Sequence, residues 1–246
     1  MLFFTVLCMM CVPSKKEHSK FETENFAKTI VKKSIQHHGG MALWQKIRSI
    51  QLSKEIKLYS KSGALESVQN QSQFFQLQPA LAGIIQWKKN DNQYIVVYKN
   101  NVLSKFVNNK QITDLKELER ARNMFFAAQY VICQPFKLLD ASALLSYEGV
   151  KKFKENMYHA VRVRYAGDTT QSDQWTYYFD KETTQLLVAK VVHKGTTSWI
   201  HNRSYVNSSG IKFNQERESF VLDTLLNKSN LRASYVYNNY SIIFLD

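Results

Sequence analysis

Beyond Arg48 the chain keeps a period of two. Ile50, Leu52, Ile56 and Leu58 alternate with Gln51, Ser53, Glu55 and Lys57, the pattern of a strand with one buried face. Comparable segments recur at 65–77, 84–88, 94–99, 102–107, 158–165, 175–179, 186–193, 198–206, 211–221 and 231–237. Polar clusters such as Lys61-Ser62-Gly63, Lys89-Asn90-Asp91-Asn92 and Asn100-Asn101 separate them. Tight connections of this kind join only antiparallel neighbours. The expectation is an antiparallel meander.

Two stretches break the rule. Between Ser19 and His38 the spacing is helical: Phe26, Ile30, Ser34 and His37 form a stripe, Ala27, Val31 and Ile35 widen it, and Lys28, Lys32 and Lys33 cover the outside. Ser19 and Glu22 have capping-box spacing, with Thr23 an equal candidate for the cap. Gly39-Gly40 supplies the stop, and His37 and His38 are expected to complement the helix dipole. Trp44 and Ile47 then lead into the sheet. The second stretch is 114–132, where Leu115, Leu118, Ala121, Arg122, Phe125, Phe126 and Gln129 follow helical spacing before Pro135. A further short helical stretch is expected over 136–145.

Aromatic and bulky residues occupy both phases of several strands: Phe74 and Phe75, Tyr94 and Ile95, Tyr177 and Tyr178, Trp199 and Ile200. A sheet with one wet face alternates more cleanly. Either two sheets pack as a sandwich, or one curved sheet is covered by helices on its concave side. The N-terminal helix and the segment Met124-Phe125-Phe126 favour the second. The fold class is therefore mainly β (α+β): a single curved antiparallel sheet covered by an N-terminal helix and mid-chain helices. With 15 Phe, 13 Tyr and 4 Trp the chain is too aromatic for low-complexity disorder.

Residues 1–11 read MLFFTVLCMMC, too short for the roughly 20 apolar residues that span a bilayer. They suit the apolar core of a secretory signal. Cys11 ends the run and a polar stretch follows, as in bacterial lipoprotein signals, so Cys11 is the expected lipidation site, with Cys8 as a rival acceptor. A cleaved secreted protein and an uncleaved hydrophobic tail are the alternatives. The expected organisation is a signal segment 1–11, a flexible tether 12–20 and one domain 21–246, since no repeat and no Pro/Gly/Ser linker interrupts the rest. Cys133, in an apolar context, is expected to be a buried, inert thiol.

Three segments resemble a known family. Residues 27–40, followed by Trp44, are similar to the start of envelope proteins of the LolA/LolB-like lipoprotein-carrier superfamily. Residues 175–187 resemble its hairpin turning through Asp180, Lys181, Glu182 and Thr183. Residues 205–214 resemble its late turn, in which Gly210 precedes Ile211 and Phe213, although Asn214 stands where that family has Pro. The resemblance implies a half-barrel of about eleven antiparallel strands closed by helices, which binds a lipid or a lipoprotein acyl chain in its concave groove, in the bacterial envelope and facing the periplasm. The groove candidates are Phe74, Trp87, Tyr94, Tyr98, Phe125, Phe126, Trp175, Tyr177 and Trp199. The alternative is a structural or sensory protein with a self-filled groove that acts through protein contacts.

The formal charge of +13 is spread as lysine pairs at 15–16, 32–33, 88–89 and 151–152. Nucleic-acid binding prefers a concentrated, arginine-rich face, so the expected partner of this charge is an anionic membrane surface. Arg162 and Arg164 share a strand face that reads as solvated. No nucleophile, metal or phosphate-binding motif occurs: His193 and His201 stand on separate strands without ligand spacing, and Asp180 and Glu182 occupy a turn. A monomer without catalysis, metal or cofactor is expected.

Overall fold

A computed structural model describes residues 15–153, 155–169, 172–223 and 228–245, with the side chains of 15–21, 223 and 228 outside that description. Cys8 and Cys11, with the expected signal 1–11, lie outside the described residues. Thirteen strands make one antiparallel sheet: β1 (Ile47–Tyr59), β2 (Leu65–Gln76), β3 (Ala82–Lys89), β4 (Asn92–Lys99), β5 (Val102–Val107), β6 (Lys110–Gln111), β7 (Ala143–Phe153), β8 (Asn156–Tyr165), β9 (Gln174–Asp180), β10 (Leu186–His193), β11 (Thr196–Ser208), β12 (Ile211–Asp223) and β13 (Lys228–Phe244). Their order across the sheet is β6-β5-β4-β3-β2-β1-β13-β12-β11-β10-β9-β8-β7. Two meanders are thus joined by the long-range pair β1–β13, and the sheet stays open as a half-barrel with edges β6 and β7.

Local chemistry sets the turns. Asn90-Asp91, Asn100-Asn101 and Asn108-Asn109 all have positive φ at both positions, between 47° and 64°. That is the two-residue hairpin geometry whose twist matches antiparallel strands, and Asn and Asp tolerate it. At the later hairpin, Asp180 Oδ1 accepts from Thr183 N (2.7 Å), Thr183 Oγ1 (2.8 Å) and Glu182 N (3.1 Å).

Helices cover one face: α1 (Lys15–His37), the single turn α2 (Met41–Trp44), α3 (Leu115–Ile132) and a 3-10 turn at Phe136–Leu139. α1 packs along β7, with Phe26 against Tyr147 at 4.5 Å and Ala27, Ile30, Val31, Ser34 and Ile35 buried. Asp114 caps α3 by accepting from Glu117 N at 2.9 Å. α3 packs on β4 and β5 and buries Ala121, Phe125, Ala128, Gln129 and Ile132. Phe125 meets Phe75 at 5.4 Å and Tyr98 at 5.2 Å. It comes this close because β3 has no side chain at Gly83: a Cβ there would stand 3.0 Å from the Phe125 ring and 2.5 Å from Phe74 O.

The structure departs from the sequence reading in four places. The strands number thirteen, the two unread ones being the two-residue β6 and β7. β7 starts at Ala143, inside the stretch expected to be helical, and only Phe136–Leu139 is helical there. A bulge at Gly149 (φ 86°), between Tyr147 and Val150, interrupts the alternation of β7, so its period of two could not be read. α1 begins at Lys15, within the expected tether 12–20.

The fourth departure concerns His38, which is fully buried rather than charged at a helix end. Burial, with the nearby His37 and Lys212 charges, outweighs its hydrogen bond to Lys212 O and lowers its pKa to about 4. Burial and Lys212 also lower His37. The cation beside this helix terminus is Lys212, whose Nζ lies 3.1 Å from His37 Nε2.

Candidate functional site

Strand register sorts the aromatic residues into two faces. On the helix-covered side, Phe75, Gly83 and Tyr98 pair across β2, β3 and β4, as do Gln71, Trp87 and Tyr94. Trp87 and Tyr94 stack at 5.1 Å. Phe125 and Phe126 reach the same face from α3, Phe126 meeting Tyr98 at 5.1 Å. On the other arm, Trp175 and Tyr177 lie opposite Val191 and Ala189 of β10 and stack at 6.0 Å. The Tyr177 hydroxyl faces Tyr130 of α3 at 3.4 Å. Seven of the nine expected groove residues therefore share this face, in two separate banks.

Phe74 and Trp199 do not. Phe74 pairs with Gln51 and Ile84, and Trp199 with Lys190 and Phe220, all on the opposite face. Successive strand residues point to opposite sides, and the sequence left the phase of each pair open. Phe75 and Ile200 are the members that turn inward.

α3 and α1 pack chiefly on β4, β5 and β7, the two arms of the sheet. On the helix-covered face the middle strands carry a band of half-buried side chains, hereafter the trough: Ile56 and Leu58 of β1, Tyr235 of β13 and Ile200 of β11, with Trp87 and Trp175 on its flanks. The depressions of defined volume lie elsewhere, one of about 250 Å³ beside Trp44, Gln129 and Cys133. Another of about 620 Å³ sits at the rim near Tyr59, Leu222 and Arg232, and others open on the opposite face.

The trough floor is cationic. Lys54 lies between its cross-strand partners Gln71 and Tyr237, with Nζ 4.8 Å from the Tyr235 ring and 5.2 Å from the Tyr237 ring. Arg217, opposite Tyr235, is only 4% exposed and donates from Nε to Asn202 Oδ1 at 2.8 Å. Asn202 in turn donates to Leu186 O and Tyr205. Burial alone would raise the Tyr237 phenol. The Lys54 and Arg217 charges, each also hydrogen-bonded to it, hold it below its ordinary value.

Among the described residues neither cation has a carboxylate within 4 Å. The Gln73 side chain, fully buried nearby, donates to Gln71 while its own Oε1 has no partner. Buried charge without an opposite charge is costly, several kcal/mol per ion. Sequence reasoning missed this cluster, although a signal existed: Lys54 interrupts the apolar phase between Leu52 and Ile56, and Arg217 keeps phase with Ile211 and Phe213.

Titratable groups elsewhere have structural explanations. Tyr130 and Tyr165 hydrogen-bond each other beneath α3, and burial with neighbouring tyrosines raises Tyr130. Cys133 is buried against Gln129, which donates to its sulfur, and burial pushes the thiol up to about 12. His193 pairs with Asp173 at an exposed turn, and Arg162 contacts Gln174 and Glu148 on the solvent face.

A sequence profile of one family, described as a family of unknown function (DUF6503), matches residues 2–240. The chain belongs to the DUF6503 family. No curated protein matches it. Solved structures extend the likeness of this DUF6503 protein through its fold. A DUF1329 family protein from Desulfovibrio piger superposes with a TM-score of 0.54 at 9% identity, over 88% of this chain and 92% of that one. A LolA superfamily protein from Nitrosomonas europaea gives 0.54 at 11% identity, over 89% and 94%. A candidate outer-membrane lipoprotein-sorting domain from Vibrio parahaemolyticus gives 0.52 at 9% identity, over 89% and 93%. The DUF6503 half-barrel is LolA-like, and identities this low carry the fold alone.

Proposed function

We propose that this protein is a non-catalytic binder of an anionic amphiphile, an acyl chain ending in a carboxylate or phosphate, in the trough between its two aromatic banks. The observation that carries the reading is the pair Lys54 and Arg217, cations without carboxylate partners set in the floor of a half-buried apolar surface. An anion about 4 Å from one such charge gains on the order of 4 kcal/mol at an effective dielectric near 20. Each methylene covered by Trp87, Ile56, Ile200 or Trp175 adds about 0.8 kcal/mol. The LolA-like fold supports the same reading, as does an N-terminal segment with the form of a lipoprotein signal, which argues for an envelope protein acylated at Cys11, or at Cys8, and facing the periplasm.

Mass spectrometry of lipid extracted from the protein purified out of membranes tests the reading, followed by titration with a fluorescent fatty acid. A bound lipid acid is expected, and Lys54→Gln should weaken the fluorescent acid by roughly tenfold to a hundredfold, the range of a charged hydrogen bond. The matching fatty alcohol should bind the variant and the parent alike. Absence of both extracted lipid and fatty-acid binding would leave the alternative, a self-filled groove working through protein contacts.

A further inference from the structure

The face opposite the helices carries its own aromatic cluster, which accounts for the double-phase aromatics of the sequence. Trp199 of β11 lies 5.5 Å from Tyr178 and stacks at 6.2 Å on Phe153, at the tip of the β7–β8 hairpin. Between hairpin and sheet lies a cleft of about 220 Å³, its walls shared by Phe153, Tyr158, Tyr178, Val188 and Trp199. A second depression of about 460 Å³ shares its Phe153, Tyr158, Trp199 and His201 walls and extends to Phe220 and Arg203. Around the rings stand cations. Lys151 and Lys152 line the cleft, Lys190 Nζ sits 5.4 Å over Trp199, and Arg203 lies 6.0 Å over Phe220. Arg203 pairs with Glu218, but among the described residues Lys151, Lys152 and Lys190 have no carboxylate within 4 Å. On the cleft side the hairpin exposes Phe153 at 49%, whereas Val150 and Met157 are in phase with His159 on the helix-covered face.

We infer that this outer aromatic cleft and the β7–β8 hairpin tip form a docking surface for an anionic phospholipid membrane. Aromatic rings with one wet edge favour the headgroup level of a bilayer, and lysines beside them attract anionic lipid. Exposed Phe153, stacked on Trp199 at the cleft, supplies the apolar side chain that enters the acyl boundary. A protein partner is the poorer fit, because lysine is depleted from the centres of protein interfaces. The surface is separate from the trough, so it deepens the envelope reading by naming the membrane-facing side without resting on the trough's ligand.

The test uses the full chain with Cys8→Ser and Cys11→Ser, so that no acyl anchor contributes. Flotation with vesicles of phosphatidylglycerol and phosphatidylcholine is compared with phosphatidylcholine alone. Binding to the anionic vesicles, weakened by salt, is expected. Lys151→Gln with Lys152→Gln should weaken it about twenty-five-fold, the product of roughly fivefold per surface lysine. Phe153→Ser, at a position 49% exposed, should weaken it as well while the circular dichroism of the sheet is unchanged. Lipids brominated in the acyl chain should quench tryptophan emission, and Trp199→Phe should abolish most of that quenching. The inference is overturned if the anionic vesicles are not bound at low salt, or if binding ignores the lysine and Phe153 substitutions. It is equally overturned if Phe153→Ser instead dissolves a concentration-dependent dimer. Fatty-acid titration of the same variants reads the trough independently.

Discussion

Acid sensitivity at His38 offers the sharpest check on the packing described. The imidazole is fully buried at the end of α1, with its ring edge-on to Tyr205 at 4.8 Å and Nδ1 placed to donate to Lys212 O at 3.2 Å. Among the described residues Nε2 has no partner, so a proton added there would be buried without an acceptor. The folded pKa is about 4 against 6.5 for the free side chain. The folded state thus favours the neutral ring, and protonation favours unfolding. Stability from this source is complete above pH 6.5, falls as the unfolded chain takes up the proton, and is fully lost below the folded pKa. The difference of 2.5 units between the two values, at about 1.36 kcal/mol per unit, gives a total near 3 kcal/mol, of which about 2.5 kcal/mol is gone by about pH 4.5. Carboxylates titrate over the same range, so the measurement is a comparison. Urea unfolding of the parent and of His38→Gln is followed from about pH 7.5 to about pH 4.5. The variant should be the less stable of the two at the upper pH, and the gap should close by about 2–3 kcal/mol at the lower. A gap that stays constant across the range would refute the buried neutral imidazole.

Two further outcomes follow from contacts in the same structure. Gly83→Ala should cost about 1–3 kcal/mol, because its Cβ meets both Phe74 O and the Phe125 ring; denaturant melts check this, and a neutral substitution would mean that α3 does not press on β3. Cys133, buried with its thiol raised to about 12, should resist maleimide in the folded protein and react once urea unfolds it, as mass spectrometry of the peptide carrying Cys133 would show. Native-state labelling at the rate of a free thiol would contradict that burial.

Eleven of the thirteen strands could be read from period two and the Asn-rich turns, because alternation and left-handed turn geometry are local properties. The helix over 114–132 was equally legible, since its cap Asp114 and its apolar stripe are written within one segment. β7 was hidden because the Gly149 bulge shifts its phase midway. The aromatic content of the site could be read, but its sides could not. Phe74 and Phe75 are chemically alike, and only the register against β1 and β3 decides which one meets Phe125.

The sequence by itself determined an antiparallel sheet with helical cover, because residue spacing fixes which local hydrogen-bonding pattern can bury apolar side chains. Tertiary structure decided where the two meanders join, β1 against β13, a pairing of residues almost the whole domain apart that no local pattern encodes. That junction brings Lys54 beside Tyr237 and, through Tyr235 on the next rung, Arg217 into the same floor. The register of β11 against β10 and β12 sends Trp199 outward to meet Phe153. The cationic floor and the outer aromatic cleft are therefore products of register, and register is a property of paired strands rather than of any one of them.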